Sequence, residues 1–202
     1  MTSVALFDTL HVVLRLDCAL GNASEGETHL FTYLSCLLSL YARWPVSDWG
    51  YGFSSTSLGA PFSTEVHEAM AVMGKIGLIT YDREYFRATA AGAQKYTDMR
   101  GLSLNAKREP FVEAACSSLL AFPVGLIRDA LSGEPGLRRA AGPARKRLLL
   151  QESHKEELYQ QFSALSESLG LQVADLMVPA MVWLSFLGQS CSETPSISSA
   201  KV

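Results

Sequence analysis

The chain has 202 residues, 48% of them hydrophobic, and a formal net charge of −3 at pH 7. Its length is sufficient for a core without disulfide or metal staples, and its slight acidity argues against a protein that binds mainly nucleic acid. The 4 cysteines are scattered and form no CxxC pair, which argues against a secreted disulfide framework. No secretory signal is recognisable, so we expect a reducing cytoplasmic location.

Hydrophobic spacing predicts two helices at the start of the chain. Apolar residues recur every three or four positions in residues 4–16 and 27–42, and Pro45 ends the second run. A loop is expected between the two helices. Residues 49–53 alternate aromatic side chains with glycine, which is typical of a short strand or extended segment.

The next stretch has the pattern of a helix, a hairpin and another helix. Ser63 is placed to cap a third helix that reaches Ile76, and Gly77 suits the position after a helix end. Residues 78–88 place a polar turn between two short apolar runs, which predicts a small β-hairpin. Thr89 is expected to cap a helix that ends near residue 99. Helix, helix, strand, helix and hairpin is the order of a winged helix.

Particular residues in this stretch form a more specific pattern. They are Tyr51-Gly52-Phe53, Gly59-Ala60-Pro61-Phe62-Ser63, Glu65-Val66, Gly77-Leu78-Ile79, Tyr85, Thr89 and Gly92. The pattern resembles the winged-helix module of the middle components of bacterial ABC-three-component systems, among them the small middle subunit of Lamassu-type anti-phage defence. It is also similar to the Panacea-type antitoxin module, although the tryptophan or lysine motifs of that module's first helix are absent. The resemblance covers residues 28–96, about a third of the chain.

The resemblance implies a non-catalytic adaptor or scaffold subunit. Its partners would be an ATPase related to the structural-maintenance-of-chromosomes (SMC) proteins and a nuclease or other effector, in a complex that senses foreign or aberrant DNA ends. The alternative is a winged-helix DNA-binding transcription regulator or an antitoxin. Net acidic charge on the expected exposed face of the third helix argues against DNA reading there. That face comprises Glu65, His67, Glu68 and Lys75.

The rest of the chain is expected to be helical. We predict a polar connector at 101–108, helices at 110–122 and 123–131, a linker at 133–136, a long helix at 142–169 and a last helix at 171–188 with a kink near Pro179. The fold class is thus mainly α: a degenerate winged helix, with helices plus a small β-hairpin, followed by a helical C-terminal part. The predicted domains are 1–100, 101–189 and a disordered tail at 190–202.

Two segments are predicted to contact partners. The run 176–188 is uncharged and too short to span a bilayer, and a helix that is apolar on every side must be enclosed. We therefore expect Met181, Trp183 or Phe186 to contact a partner protein. The second segment is a basic cluster at an expected helix start, either a site for DNA phosphate or an acidic protein or a solvated surface. Its residues are Arg138, Arg139, Arg145, Lys146 and Arg147.

Catalytic patterns are absent from the sequence. The four histidines, His11, His29, His67 and His154, have no second histidine or cysteine at metal-ligand spacing. Phosphate-binding glycine motifs and the GxSxG nucleophile motif are missing. We therefore expect no enzymatic activity, no metal and no cofactor, and no membrane association.

Overall fold

The computed structural model describes residues 2–140, 147–170 and 176–192, without the side chains of residues 152–154 and 190–192. Within these ranges the chain is mainly helical, with a small antiparallel sheet that contains a β-hairpin, so the predicted mainly α class is confirmed. The helices are α1 (Ser3–Leu20), α2 (Glu25–Tyr41), α3 (Thr64–Lys75), α4 (Ala90–Arg100), α5 (Ser103–Ser117), α6 (Val124–Ser132), α7 (Pro135–Ala140), α8 (Glu152–Leu169) and α9 (Met177–Ser192). The strands are β1 (Ala23–Ser24), β2 (Ser54–Ser55), β3 (Pro61–Phe62), β4 (Ile79–Asp82) and β5 (Tyr85–Ala88), and 3-10 turns occupy Val46–Trp49 and Ser118–Leu120.

Helix α2 is the centre of the fold. All of its residues from Thr28 to Tyr41 are buried, and it packs against α1, α5 and α8. It begins two residues earlier than predicted, because Ser24 and Glu27 form a capping box in which each side chain bonds the other residue's backbone N–H. The loop predicted between the first two helices therefore contains the first residues of α2.

The β4–β5 hairpin appears where the sequence predicts it. Strand β1, which was not predicted, adds to it antiparallel, so the sheet order is β1-β5-β4. Strands β2 and β3 form a separate two-stranded ladder. A strand of two residues such as β1 carries no hydrophobic alternation, and periodicity cannot reveal it.

The motif residues after α3 join the hairpin to α4. The Thr89 hydroxyl accepts a hydrogen bond from the Gly92 N–H at 3.0 Å, as an N-cap does, and also contacts the Leu78 carbonyl at 3.0 Å. A Cβ atom at residue 92 would overlap that same carbonyl. Gly77 has φ +76°, the left-handed conformation that follows a helix end. The Thr-x-x-Gly and Gly-Leu-Ile features therefore have structural roles.

The predicted polar connector at 101–108 is wrong, because α5 begins at Ser103. This helix packs on α1 and α2. Its inward face includes Asn105 and Arg108, both buried, and the Arg108 guanidinium pairs with Asp8 of α1. A buried ion pair therefore crosses the boundary predicted at residue 100. Periodicity failed here because the first two turns of the helix bury polar side chains.

The predicted linker at 133–136 is also wrong. Glu134 is fully buried, and its carboxylate accepts hydrogen bonds from the Gly136 and Leu137 N–H groups at the start of α7. A third bond comes from the Tyr33 hydroxyl at 3.0 Å. Burial raises the pKa of this carboxyl above its ordinary value.

The long helix predicted from residue 142 begins only at Glu152. Leu148 bridges to Ser54, and the Leu149 N–H donates to the Phe53 carbonyl at 2.9 Å, so this segment lies extended beside β2. Helix α8 ends at Leu169 as predicted, and Gly170 follows it in the left-handed conformation. Residues 141–146, 171–175 and 193–202 lie outside the described residues, so the predicted helix starts at 142 and 171 and most of the predicted tail are not described.

Pro179 is the third residue of α9. A backbone N–H there would have no acceptor within the helix, so proline fits this position. Among the described residues, no single helix is both long and apolar enough to cross a membrane. The segments Ser103–Leu120 and Val124–Ser132 are long and apolar enough only when taken together, and the chain bends by 116° between them.

Candidate partner-binding surface

Helices α8 and α9 pack through an aromatic pair. The Phe162 and Trp183 ring centroids lie 4.8 Å apart, and Phe162 also meets the Tyr41 ring of α2 edge-on at 5.8 Å. Leu158 is buried beside them, while Leu165 is half-buried. The apolar row Leu158, Phe162 and Leu165 of α8 thus faces the core at its start and approaches the surface further on.

Of the three residues predicted to contact a partner, Trp183 does not reach the surface. Its side chain is 1% exposed, and its indole N–H donates to the Gln161 side-chain oxygen at 3.1 Å. Met181 is half-buried and Phe186 is 51% exposed. The expectation is therefore corrected for Trp183 and remains a prediction for Met181 and Phe186.

One face of α9 carries an exposed apolar stripe. Val178, Val182 and Phe186 are 39%, 40% and 51% exposed, and a spacing of four residues places them in one row. The opposite face packs against α6, α5 and α8. The sequence predicted an apolar helix that must be enclosed. The structure buries one side of it and leaves this row partly exposed.

Beside this row, α8 and α9 form a groove of about 530 Å³. It is lined by Gln160, Gln161, Ala164, Leu165, Ser168, Val182, Trp183 and Phe186. Its floor is apolar, and the Gln160 and Gln161 amides and the Ser168 hydroxyl lie at its α8 edge. We call this the α8–α9 groove.

Charge is distributed unequally across the groove. The described part of α9 has no charged residue. On α8, Glu156 and Glu167 are exposed and line a shallow depression that shares Gln160 and Ala164 with the groove. The α8 edge is therefore acidic and the α9 edge neutral.

The predicted basic cluster does not form a helix start. Arg138 and Arg139 lie in the last turn of α7, where positive charge complements the helix dipole, and both contact the Glu157 carboxylate of α8. The Arg147 guanidinium donates to the Arg139 carbonyl at 2.7 Å. Arg145 and Lys146 lie outside the described residues. The predicted position at a helix start is therefore wrong for the described members, and a role in binding DNA or an acidic protein stays a prediction.

The exposed face of α3 is as predicted for His67, Glu68 and Lys75. Glu65 is half-buried and its carboxylate accepts from the Ser63 hydroxyl at 3.1 Å. The His67 Nδ1 lies 2.7 Å from the Glu25 carboxylate at the start of α2.

A polar cleft of about 550 Å³, which the sequence did not indicate, lies between α1, α4 and α5. Arg15 pairs with Glu113 at 2.8 Å and Arg100 with Glu109 at 2.7 Å, and the buried His11 lies 3.1 Å from Glu113. Each arginine there already has a carboxylate partner. Within the described ranges, no three metal-ligating side chains are grouped closely enough to hold an ion.

No family model matches the chain, and neither the curated proteins nor the solved structures include a match to it.

Proposed function

We propose that this chain is a non-catalytic adaptor that binds a partner protein in the α8–α9 groove. The observation that carries the proposal is the exposed row Val178, Val182 and Phe186 beside a groove whose floor is already packed. Trp183 is held by Gln161 and by Phe162, so the floor needs no rearrangement before binding. An apolar row next to a formed groove is typical of a binding surface.

The shape and charge of the groove favour an amphipathic helix as its occupant. Helix-in-groove recognition uses apolar anchors three and four residues apart, which matches the spacing of the α9 row. The acidic α8 edge favours lysine or arginine on one flank of the bound helix, and the neutral α9 edge makes no such demand.

We further propose that the partners are those of an ABC-three-component defence complex in the cytoplasm: an SMC-like coiled-coil ATPase and a nuclease effector. Coiled coils are a source of amphipathic helices. Support comes from the sequence resemblance and from the hairpin that follows α3, with sheet order β1-β5-β4. The structural roles of Gly77, Thr89 and Gly92 agree with their place in the quoted pattern. DNA contact would then come through the complex or through the basic cluster.

The test is reconstitution with the proteins encoded beside this chain. The variant Val182→Glu/Phe186→Glu places two charges in the groove, and Leu58→Glu is the control because Leu58 is 93% exposed between β2 and β3. We expect the double variant to lose at least tenfold in co-purification of a coiled-coil ATPase or effector, with unchanged thermal melting, and the control to assemble normally. Equal assembly of both variants would reject the groove. Tight, sequence-dependent binding of duplex DNA by the chain alone would instead support a transcription regulator.

A further inference from the structure

A second groove lies between the start of α2, helix α3 and the β4–β5 hairpin. Its volume is about 510 Å³. Met70, Ala71, Tyr81 and Phe86 supply its apolar part, and Ser24, Glu25, Gly26, His67, Arg83 and Glu84 supply its polar part. We call this the α3–hairpin groove.

The apolar part of the groove is fixed by one aromatic ring. The Tyr81 hydroxyl donates to the Met70 carbonyl of α3 at 3.0 Å, and the Tyr81 ring meets Phe86 edge-on at 4.9 Å. The ring can lie over α3 because residue 74 is glycine, and a Cβ atom there would overlap it. Tyr81 is nevertheless 51% exposed, so part of its side chain is available to a ligand in the groove.

Glu25 stands at the rim between two imidazoles. His67 Nδ1 lies 2.7 Å from its carboxylate, and the buried His29 Nε2 lies 3.6 Å from the same oxygen. The Ser63 N–H donates to His29 Nδ1, so the His29 proton is on Nε2, which has no hydrogen-bond partner. Burial lowers the pKa of His29 to about 4, so this imidazole is neutral near pH 7 and does not cancel the charge of Glu25.

The elements that build this groove are rich in carboxylates. Helix α2, helix α3 and the hairpin carry Glu25, Glu27, Glu65, Glu68, Asp82 and Glu84 against Lys75, Arg83 and Arg87. Arg87 is moreover paired with Asp17 of α1. This sign attracts cations and repels a phosphate backbone.

We propose that the α3–hairpin groove binds an arginine- or lysine-bearing segment of a protein partner. The aliphatic part of such a side chain would lie on Met70 and Ala71, and its charged end would lie between Glu25 and Glu84. The Tyr81 ring adds an attractive face for a cation. This surface is separate from the α8–α9 groove, so the two proposals stand or fall independently, and together they give the chain two surfaces with different chemistry.

The test is an NMR titration of the full chain, labelled with ¹⁵N, with a short peptide that alternates arginine and glycine. The same peptide with glutamine in place of arginine and a short DNA duplex serve as comparison ligands. We expect amide shifts concentrated at Gly26, Ala71 and Glu84 with the arginine peptide only. Glu25→Gln/Glu84→Gln should weaken binding about tenfold, while Glu156→Gln/Glu167→Gln, which removes the same charge from α8, should not change it.

A second variant keeps the test decisive if the charge changes disturb folding. Ala71→Arg changes an exposed helix position and places a tethered cation in the groove, so it should abolish peptide binding while the chain still folds. The proposal is overturned if the arginine and glutamine peptides shift the same amides equally. It is also overturned if the shifts lie elsewhere, if no shift appears at millimolar peptide, or if the duplex binds this face.

Discussion

Replacing Asp8 by alanine should destabilise the fold by about 3–5 kcal/mol, the usual cost of removing one partner of a buried ion pair. Asp8 and Arg108 both have 0% exposed side chains. The Asp8 carboxylate accepts from the Arg108 guanidinium and, at 2.7 Å, from the Tyr51 hydroxyl. Arg108 also donates to the Trp49 carbonyl at 2.8 Å and lies 3.8 Å over the Trp49 ring.

The magnitude follows from what remains after the change. Without Asp8, a buried guanidinium keeps one carbonyl acceptor and the faces of aromatic rings, and the Tyr51 hydroxyl loses its acceptor. The double variant Asp8→Asn/Arg108→Met removes both charges and keeps an oxygen for Tyr51, so it should cost less than Asp8→Ala alone.

Urea unfolding followed by circular dichroism measures both effects, and adding Arg108→Met and Asp8→Asn completes the double-mutant cycle. A loss below about 1 kcal/mol for Asp8→Ala, the usual value for an exposed pair, would show that Asp8 and Arg108 do not behave as a buried ion pair. So would additive single effects, because two buried partners in contact must couple.

Three further predictions concern other polar groups. Lowering the pH from 6.5 towards 4 should reduce the free energy of unfolding by up to about 1.4 kcal/mol per pH unit through His29. The reason is that burial lowers the pKa of His29 in the folded chain, so the unfolded chain takes up the proton first. Urea titrations at each pH measure this dependence, and His29→Gln should flatten it. Glu134→Gln should cost about 1–3 kcal/mol in the same assay, because the two backbone N–H groups bond different carboxylate oxygens and an amide has only one oxygen. An unchanged midpoint would contradict this. Glu157→Gln should change thermal stability by less than about 1 kcal/mol, since Arg138 and Arg139 are largely exposed; a larger loss would mean that the cluster is structural.

Regular periodicity explains which elements the sequence predicts well. Helices α1 to α3 bury apolar residues at helical spacing, and Gly77 and Thr89 stand at the end of α3 and the start of α4 as predicted. The β4–β5 hairpin encloses the predicted polar turn. The start of α5 escaped prediction because Arg108 and Asn105 face the core, where the pattern requires apolar side chains. Helix α7 was not predicted because Glu134 caps it within a stretch rich in glycine and proline, which is typical of a loop. The extended segment after Arg147 was not predicted because Leu148 pairs with Ser54, which is distant in sequence.

The α8–α9 groove was predictable only in outline. The uncharged run of α9 indicates a helix that needs cover on all sides, but sequence does not show which side its own chain covers. Tertiary packing against α6 and α8 buries Trp183 and leaves Val178, Val182 and Phe186 outward. The charge of the α3–hairpin groove was visible in the sequence, whereas its floor depends on the fit of Tyr81 against Gly74.

Photocrosslinking from the α9 row is the most direct test of the adaptor proposal. A photoreactive amino acid is placed at Val182 in the full chain, expressed in the host together with its neighbouring genes, and the control places it at Leu58. We expect a crosslink from position 182 to an amphipathic helix of the ATPase or the effector, and none from position 58. An assembled complex in which position 182 forms no crosslink to another protein would contradict the adaptor proposal.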